Sequence, residues 1–381
     1  MGLLFFQTPA TLILLVRLAK GKTRQPPLTP RFPTPEMLQS VTILVPALNE
    51  EKRISPCLAG LQQQTEEVRE IIIIDSQSQD QTAALVKQVM ATDSRFQLLE
   101  YDPTVDNWVG PSGALHHGFL HSDPASQWIL RLDADTRPQP GLVASLVQEA
   151  IDHHYDLLSV STKFILKYPG EHWLHPALLA TFAYRFVPVG LPAPSVEQVM
   201  ANGQCFLCRR PVLEKLDGYR SVRASFCDDV ALARYAARQG FKVGFLDGSQ
   251  LLKVRMYEGA VETWKGLGRS IALREASTLW QMWRDVFFLF LVQGLPLPLT
   301  LILLFFENPG IWAWQWLLNV NLLLLLLRLG ILWALYSSYD RSQGKSRWLF
   351  WFSPLGDQVA WCRVLFSALR KPRVWRGRRY N

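Results

Sequence analysis

Acidic residues stand at the ends of two apolar runs. Asp75 directly follows Ile71-Ile-Ile-Ile74, and Asp133 and Asp135 directly follow Ile129-Leu-Arg-Leu132. If both runs are strands of one parallel sheet, their carboxylates leave the same edge, which is where such sheets bind ligands. Mg2+ and Mn2+ seek oxygen, and one or two protein carboxylates suffice when a diphosphate supplies the other ligands. The Asp133-Ala134-Asp135 spacing turns both side chains to one face of an extended segment. Acids after a strand are more often solvated caps, so the tripeptide alone carries little. A second acidic pair, Asp228-Asp229, opens a helical pattern that runs through Arg238 and stops at Gly240. On local sequence it reads equally as a helix start favoured by the dipole and as a functional pair.

Alternating strands and helices must position these acids. Apolar runs predict strands at 41–45, 70–74, 96–100 and 128–132, and helical spacing predicts helices at 50–64, 80–90 and 113–120. That alternation implies an α/β fold with a mainly parallel sheet covered on both faces. The 381 residues are 49% hydrophobic, enough for one large globular domain and a membrane section. The apolar residues concentrate near the ends. Residues 2–16 are apolar and are followed by Arg17, Lys20, Lys22 and Arg24. At about 15 residues this run is shorter than the roughly 20 that cross a bilayer, so it reads as an anchor. Stretches 286–306 and 311–336, the second interrupted by Arg328, read as a transmembrane hairpin, with Pro296 and Pro298 kinking its first helix. The expected organisation is an anchor at 1–20, a proline-rich linker at 21–40, a globular domain at 41–284, the hairpin at 285–336, and an interfacial segment with a basic tail at 337–381.

The formal net charge of +8 does not point to nucleic acid, because the cations flank apolar segments instead of interleaving with aromatics along a groove. Such flanks suit a cytoplasmic membrane surface. Five cysteines form an odd set in which only Cys205 and Cys208 are close together. No second pair completes a zinc site, so both read as small buried hydrophobes of a strand in a reduced compartment. There is no internal repeat, and two or three spans without one do not make a transport path.

Four motifs in order resemble the family 2 glycosyltransferases, over roughly residues 41–275. They are Val45-Pro-Ala-Leu-Asn-Glu50, Asp75-Ser-Gln-Ser-Gln-Asp-Gln-Thr82, Asp133-Ala-Asp135 and Cys227-Asp-Asp-Val-Ala-Leu-Ala233. The resemblance implies a GT-A fold, an αβα sandwich that binds a nucleotide sugar, here with C-terminal transmembrane helices. It implies that Pro46 and Glu50 frame the base and ribose and that Asp75 hydrogen-bonds the base, while Asp80 and Thr82 cap a helix. Asp135 becomes the metal ligand, with Asp133 on metal or ribose. Asp229 becomes the general base and Asp228 the neighbour that raises its pKa. Arg269, with Arg274 second, is the candidate cation for the diphosphate, against an interfacial basic helix supported by Trp280 and Trp283. Gln204, in Ala201-Asn-Gly-Gln204, is an acceptor-side candidate, against a plain turn.

The sequence departs from the family in two places. Pro111 and Ser112 stand where relatives often carry a lysine after the glycine, and the Q-x-x-R-W motif of processive members is absent. The implied activity is therefore non-processive and inverting. It uses Mg2+ or Mn2+ and moves one sugar from a nucleotide sugar to a membrane lipid. The layout resembles ceramide glucosyltransferases and, more closely, enzymes that glycosylate a hydroxylated carotenoid. A sphingolipid, hopanoid or polyprenyl phosphate acceptor stays open, as does an inactive nucleotide-binding membrane protein. The catalytic domain of a multi-pass chain would face the cytoplasm.

Overall fold

Repeated β-branched runs separated by amphipathic helices give the chain its sheet-and-helix alternation. The computed structural model describes residues 2–103, 108–268, 271, 273–306 and 312–370, with the backbone of 374–375 and 378–379. After helix α1 (Gly2–Ala19) come β1 (Val41–Ala47), α2 (Ile54–Gln62), β2 (Val68–Asp75), α3 (Thr82–Met90), β3 (Phe96–Glu100), α4 (Ser112–His121) and β4 (Trp128–Leu132). Then follow β5 (Thr136–Pro138), α5 (Leu142–Asp152), β6 (Leu157–Ser161), β7 (Lys163–Ile165), α6 (Pro169–Arg185), β8 (Cys205–Arg209), α7 (Arg210–Lys215), α8 (Asp228–Arg238), β9 (Val243–Asp247) and β10 (Leu252–Val254). The last helices are α9 (Gly259–Leu267), α10 (Leu279–Leu289), α11 (Pro296–Phe305), α12 (Trp312–Leu335) and α13 (Asp357–Leu369).

The chain divides into two units. The sheet unit comprises Gln25–Phe164, Val189–Met256 and Arg373–Asn381. Its main sheet has the order β3-β2-β1-β4-β8-β6-β9. Every neighbouring pair is parallel except the two made by β8, which runs against both β4 and β6. The expected mainly parallel sheet is therefore present. One face packs Ile43, Val45, Ile71 and Leu130 under Leu58 of α2 and Leu146 of α5. The other packs Leu44, Ile72 and Ile129 under Leu115 of α4, Leu213 of α7 and Leu232 of α8. Complete burial of such a side chain stabilises by about 1.5–3 kcal/mol, so these two layers hold the sheet edge in place. A smaller sheet joins β10 antiparallel to β5 and parallel to β7.

Cys205 and Cys208 lie on β8, buried in opposite layers, and burial raises both thiol pKa values. Alternation along a strand separates them, and they act as small apolar residues.

The helical unit comprises Met1–Arg24, Ile165–Pro188 and Tyr257–Pro372. The first apolar helix is longer than its sequence suggests, because α1 continues through a 3-10 turn and Gly2–Thr23, at 22 residues, is long and apolar enough to cross a membrane. Trp312–Ser338 is the second such helix, and Leu279–Gly294 with Pro296–Phe305 forms a pair bent by 45°. The bend sits at a π turn, Phe290–Gly294, separated from Pro296 by Leu295 alone. Proline removes an N–H and clashes with the preceding turn, which fixes the break there.

Several polar side chains inside this unit are paired. Gln7 and Asn321 exchange amide hydrogen bonds of 2.8 and 3.0 Å, and the Gln7 amide also donates to Leu291 O at 3.0 Å. Arg328, 1% exposed, donates to both carboxylate oxygens of Asp357 at 3.0 and 2.8 Å and to Ser353 Oγ at 3.1 Å. Gln293 donates to the same carboxylate at 3.2 Å and to Ala177 O at 3.0 Å. The arginine that interrupts the apolar stretch is thus the partner of the aspartate that opens α13.

Candidate active site

The C-terminal ends of β2, β1 and β4 form one edge, as their parallel register requires. Asp75 is the last residue of β2 and is buried. Its carboxylate accepts from Ser78 N at 3.2 Å and from Ser78 Oγ at 2.5 Å. Pro46 lies on β1 opposite Ile74, and the turn after it is joined to the 75–82 turn by side-chain bonds. Asn49 N donates to Ser78 Oγ at 2.9 Å, Gln79 N to Asn49 Oδ1 at 2.8 Å, Glu50 N to Thr82 Oγ1 at 2.9 Å, and Glu51 N to Asp80 Oδ2 at 3.1 Å. Asn49 and Gln77 adopt φ values of 54° and 63° to close the two turns on one another. Asp80 and Thr82 therefore do more than begin α3, whose N-cap is Gln81: they fix the neighbouring turn that carries Glu50.

The acids after β4 meet the antiparallel strand β8. The register Leu132↔Cys205 places Asp133 beside Gln204, and Asp133 N donates to Gln204 O at 3.4 Å. Thr136 closes a tight turn by donating from N at 3.1 Å and from Oγ1 at 2.7 Å to Asp133 O. This turn leaves the Asp133 side chain 33% exposed and Asp135 buried. Gln204 is 3% exposed; its Oε1 accepts from Thr162 Oγ1 at 2.9 Å and Asn202 Nδ2 at 3.1 Å, and its Nε2 is buried without a hydrogen-bond partner among the described residues.

Asp228 and Asp229 open α8. Asp229 accepts from two backbone amides, Gly203 N at 2.7 Å and Val230 N at 2.8 Å. Asp228 accepts from Arg131 Nη1 at 2.5 Å, and Arg131 Nη2 stands 3.5 Å from Asp133 Oδ1. Arg131 lies outside the four sequence motifs. Its signal was present, because a charge inside the apolar run of a central strand is tolerated only when paired.

Electrostatics follow from this crowding. Partial burial pushes Asp133 up to about 7, Arg131 opposes the rise, and the carboxylates Asp135, Asp228 and Asp229 add to it. Burial pushes Asp229 up to about 6, with Asp228 adding and Arg131 and the two amides opposing. Burial disfavours the Arg131 cation, but Asp228, Asp133 and Asp229 outweigh that and raise its pKa. The edge thus gathers more negative charge than one guanidinium balances, which suits a cation between Asp135 and Asp133. Among the described residues no three such ligands form a ready-made cage, so a metal here would take further oxygens from its bound partner. Arg269 lies outside the described residues. Arg274 belongs to the helical unit, where it donates to Ala368 O at 2.8 Å.

Residues 42–217 match the family described as Glycosyl transferase family 2. The chain carries a family 2 glycosyltransferase domain. It is 26% identical over 251 residues to the 4,4'-diaponeurosporenoate glycosyltransferase of Staphylococcus haemolyticus, covering 64% of each chain. The protein of the same name from Staphylococcus aureus strain USA300 is 28% identical over 222 residues, covering 58% of this chain and 57% of that one. The matches thus span under two thirds of the length of these relatives. A mannosyltransferase from Pyrobaculum calidifontis, solved with GDP-Man and Mn2+, superposes with a TM-score of 0.53 at 17% identity, covering 97% of this chain and 96% of that one. That likeness supports the GT-A fold of the family 2 domain.

Proposed function

We propose that this family 2 enzyme transfers one sugar from a nucleotide-sugar donor to a hydroxyl of a membrane lipid, with inversion at the anomeric carbon. The observation that carries the reading is Asp229, an acid held by two amides at the edge that also bears Asp75, Asp133 and Asp135. The acceptor oxygen attacks the anomeric carbon, its proton passes to Asp229, and the bond to the diphosphate breaks with its electron pair on the leaving group. Asp135 and Asp133 would hold Mg2+ or Mn2+, which neutralises charge on the departing nucleoside diphosphate. Asp75, with Pro46 and Glu50 in the linked turns, meets the nucleoside, and Gln204 Nε2 offers a buried donor on the acceptor side.

The names of the staphylococcal relatives support a carotenoid acceptor. A sphingolipid or hopanoid hydroxyl would use the same chemistry, whereas a polyprenyl phosphate would attack through an ionised phosphate oxygen that needs no base. The helical unit supports a membrane location, with the bent pair as one span and α12 as the return. Gly259 N donates to Glu171 Oε1 at 2.6 Å, Lys167 N to Glu171 Oε2 at 2.8 Å, and Leu166 N to Asp340 O at 2.9 Å. The start of α9 and the residues after α12 therefore lie on one side, which an even number of crossings requires. Arg341, Lys345 and Arg347 mark that side as cytoplasmic. Expression in a host that makes hydroxylated carotenoids, followed by mass analysis of its lipids, tests the reading. A carotenoid heavier by one hexose or deoxyhexose is expected; unchanged pigments with a glycosylated lipid of another class would reassign the acceptor.

A further inference from the structure

Arg131 meets three parts of the site: Asp228, Asp133 and Gly203. It is the last residue but one of β4 and is buried, with Nη1 2.5 Å from Asp228 Oδ2 and Nη2 3.5 Å from Asp133 Oδ1. Its guanidinium also covers Gly203, where an added Cβ would stand 2.7 Å from Nη2 and 2.9 Å from Cζ. Gly203 N–H is one of the two donors to Asp229, and Val230 N–H on α8, two residues after Asp228, is the other. One rigid, planar group thus contacts Asp133 in the turn after its own strand, the helix that bears Asp229 and the turn that holds Asp229.

We propose that Arg131 is a positioning residue for the transfer step: its guanidinium fixes Asp228 and the Gly203 turn, and through them aims the Asp229 carboxylate at the acceptor. Asp228 is then a strut. The proposal rests on Asp229 being the base. A lysine at 131 would keep the charge but lose the fork that meets two partners at once.

Steady-state kinetics on the full chain, with manganese and varied donor, separate this from a merely structural ion pair. Arg131→Met alone leaves Asp228 buried without its partner and is prone to misfold. Arg131→Met combined with Asp228→Asn removes both charges and is the deciding variant. Its kcat should fall by about 30-fold or more, with donor KM changed less than about threefold, since small misplacements near the chemistry cost on that order. Asp228→Asn alone should show a similar loss, because partners in one network are not additive. Arg131→Lys should fall between wild type and the double variant. A double variant with kcat within threefold of wild type, or one whose donor KM rises in step with the fall in kcat, overturns the proposal. Asp229→Asn measured alongside keeps the two readings apart. If it retains more than a tenth of the activity, the assignment of the base fails whatever Arg131 does.

Discussion

Gly203 N–H and Asp229 Oδ2 are 2.7 Å apart, and the other face of the same glycine is occupied by the Arg131 guanidinium. A side chain at 203 must displace either the arginine or the amide. Gly203→Ala is therefore expected to lower the transfer rate by roughly ten- to 100-fold while nucleotide-sugar affinity stays near wild type. Isothermal titration with donor and manganese, beside initial rates, checks both halves. Equal rates for the two proteins would mean that the 202–204 turn has no part in presenting the acid.

The Asp229 pKa sets the direction of the pH profile. A base works only when unprotonated, and burial with the Asp228 charge holds this one up to about 6. The rate should be flat above about pH 7 and fall close to tenfold per unit on the acid side of about 6. Asp228→Asn removes a raising charge and takes away the nearest partner of Arg131, whose cation still faces Asp133 and Asp229. Both changes favour the carboxylate, so the acid limb should move to lower pH. A limb that stays in place would separate the profile from this pair.

Asp135→Ala should weaken metal-dependent binding of a nucleoside diphosphate, because two phosphate charges would then lack their compensating cation. Titration of the diphosphate with and without manganese should show a metal-dependent gain for wild type only. The same gain in both would make the D-x-D run a loop cap.

In the helical unit, Arg328→Met alone should destabilise by about 3–5 kcal/mol, because it strands a buried carboxylate at Asp357. Arg328→Met with Asp357→Leu should cost far less. Thermal unfolding in detergent measures both, and equal losses would show that the pair does not couple.

Much of the sheet edge was legible because it rests on local signals. Uniformly apolar runs end at Asp75 and at Asp133, and β2, β3 and β4 fall on or near the predicted segments. Strand β8 was not recognisable as the reversed member, since Cys205-Phe-Leu-Cys-Arg209 looks like any buried strand and its direction depends on β4 and β6. Helix α6 was missed because it carries Pro169 and Pro176 and has no clean amphipathic period. Asp229 was found through its motif, but its two amide donors come from a turn and a helix that fold together only in three dimensions. Arg131 was hidden for the same reason: its meaning lies in partners at 133 and 228, the second far away in sequence.

The most direct test of the account is a single-turnover comparison of wild type and Asp229→Asn, using labelled donor, manganese and a lipid acceptor in detergent. Label should pass to the lipid with wild type, and the variant should be slower by about two to four orders of magnitude. The variant should bind the donor with unchanged affinity. A variant that transfers at more than a tenth of the wild-type rate, or that fails to bind donor at all, would contradict it.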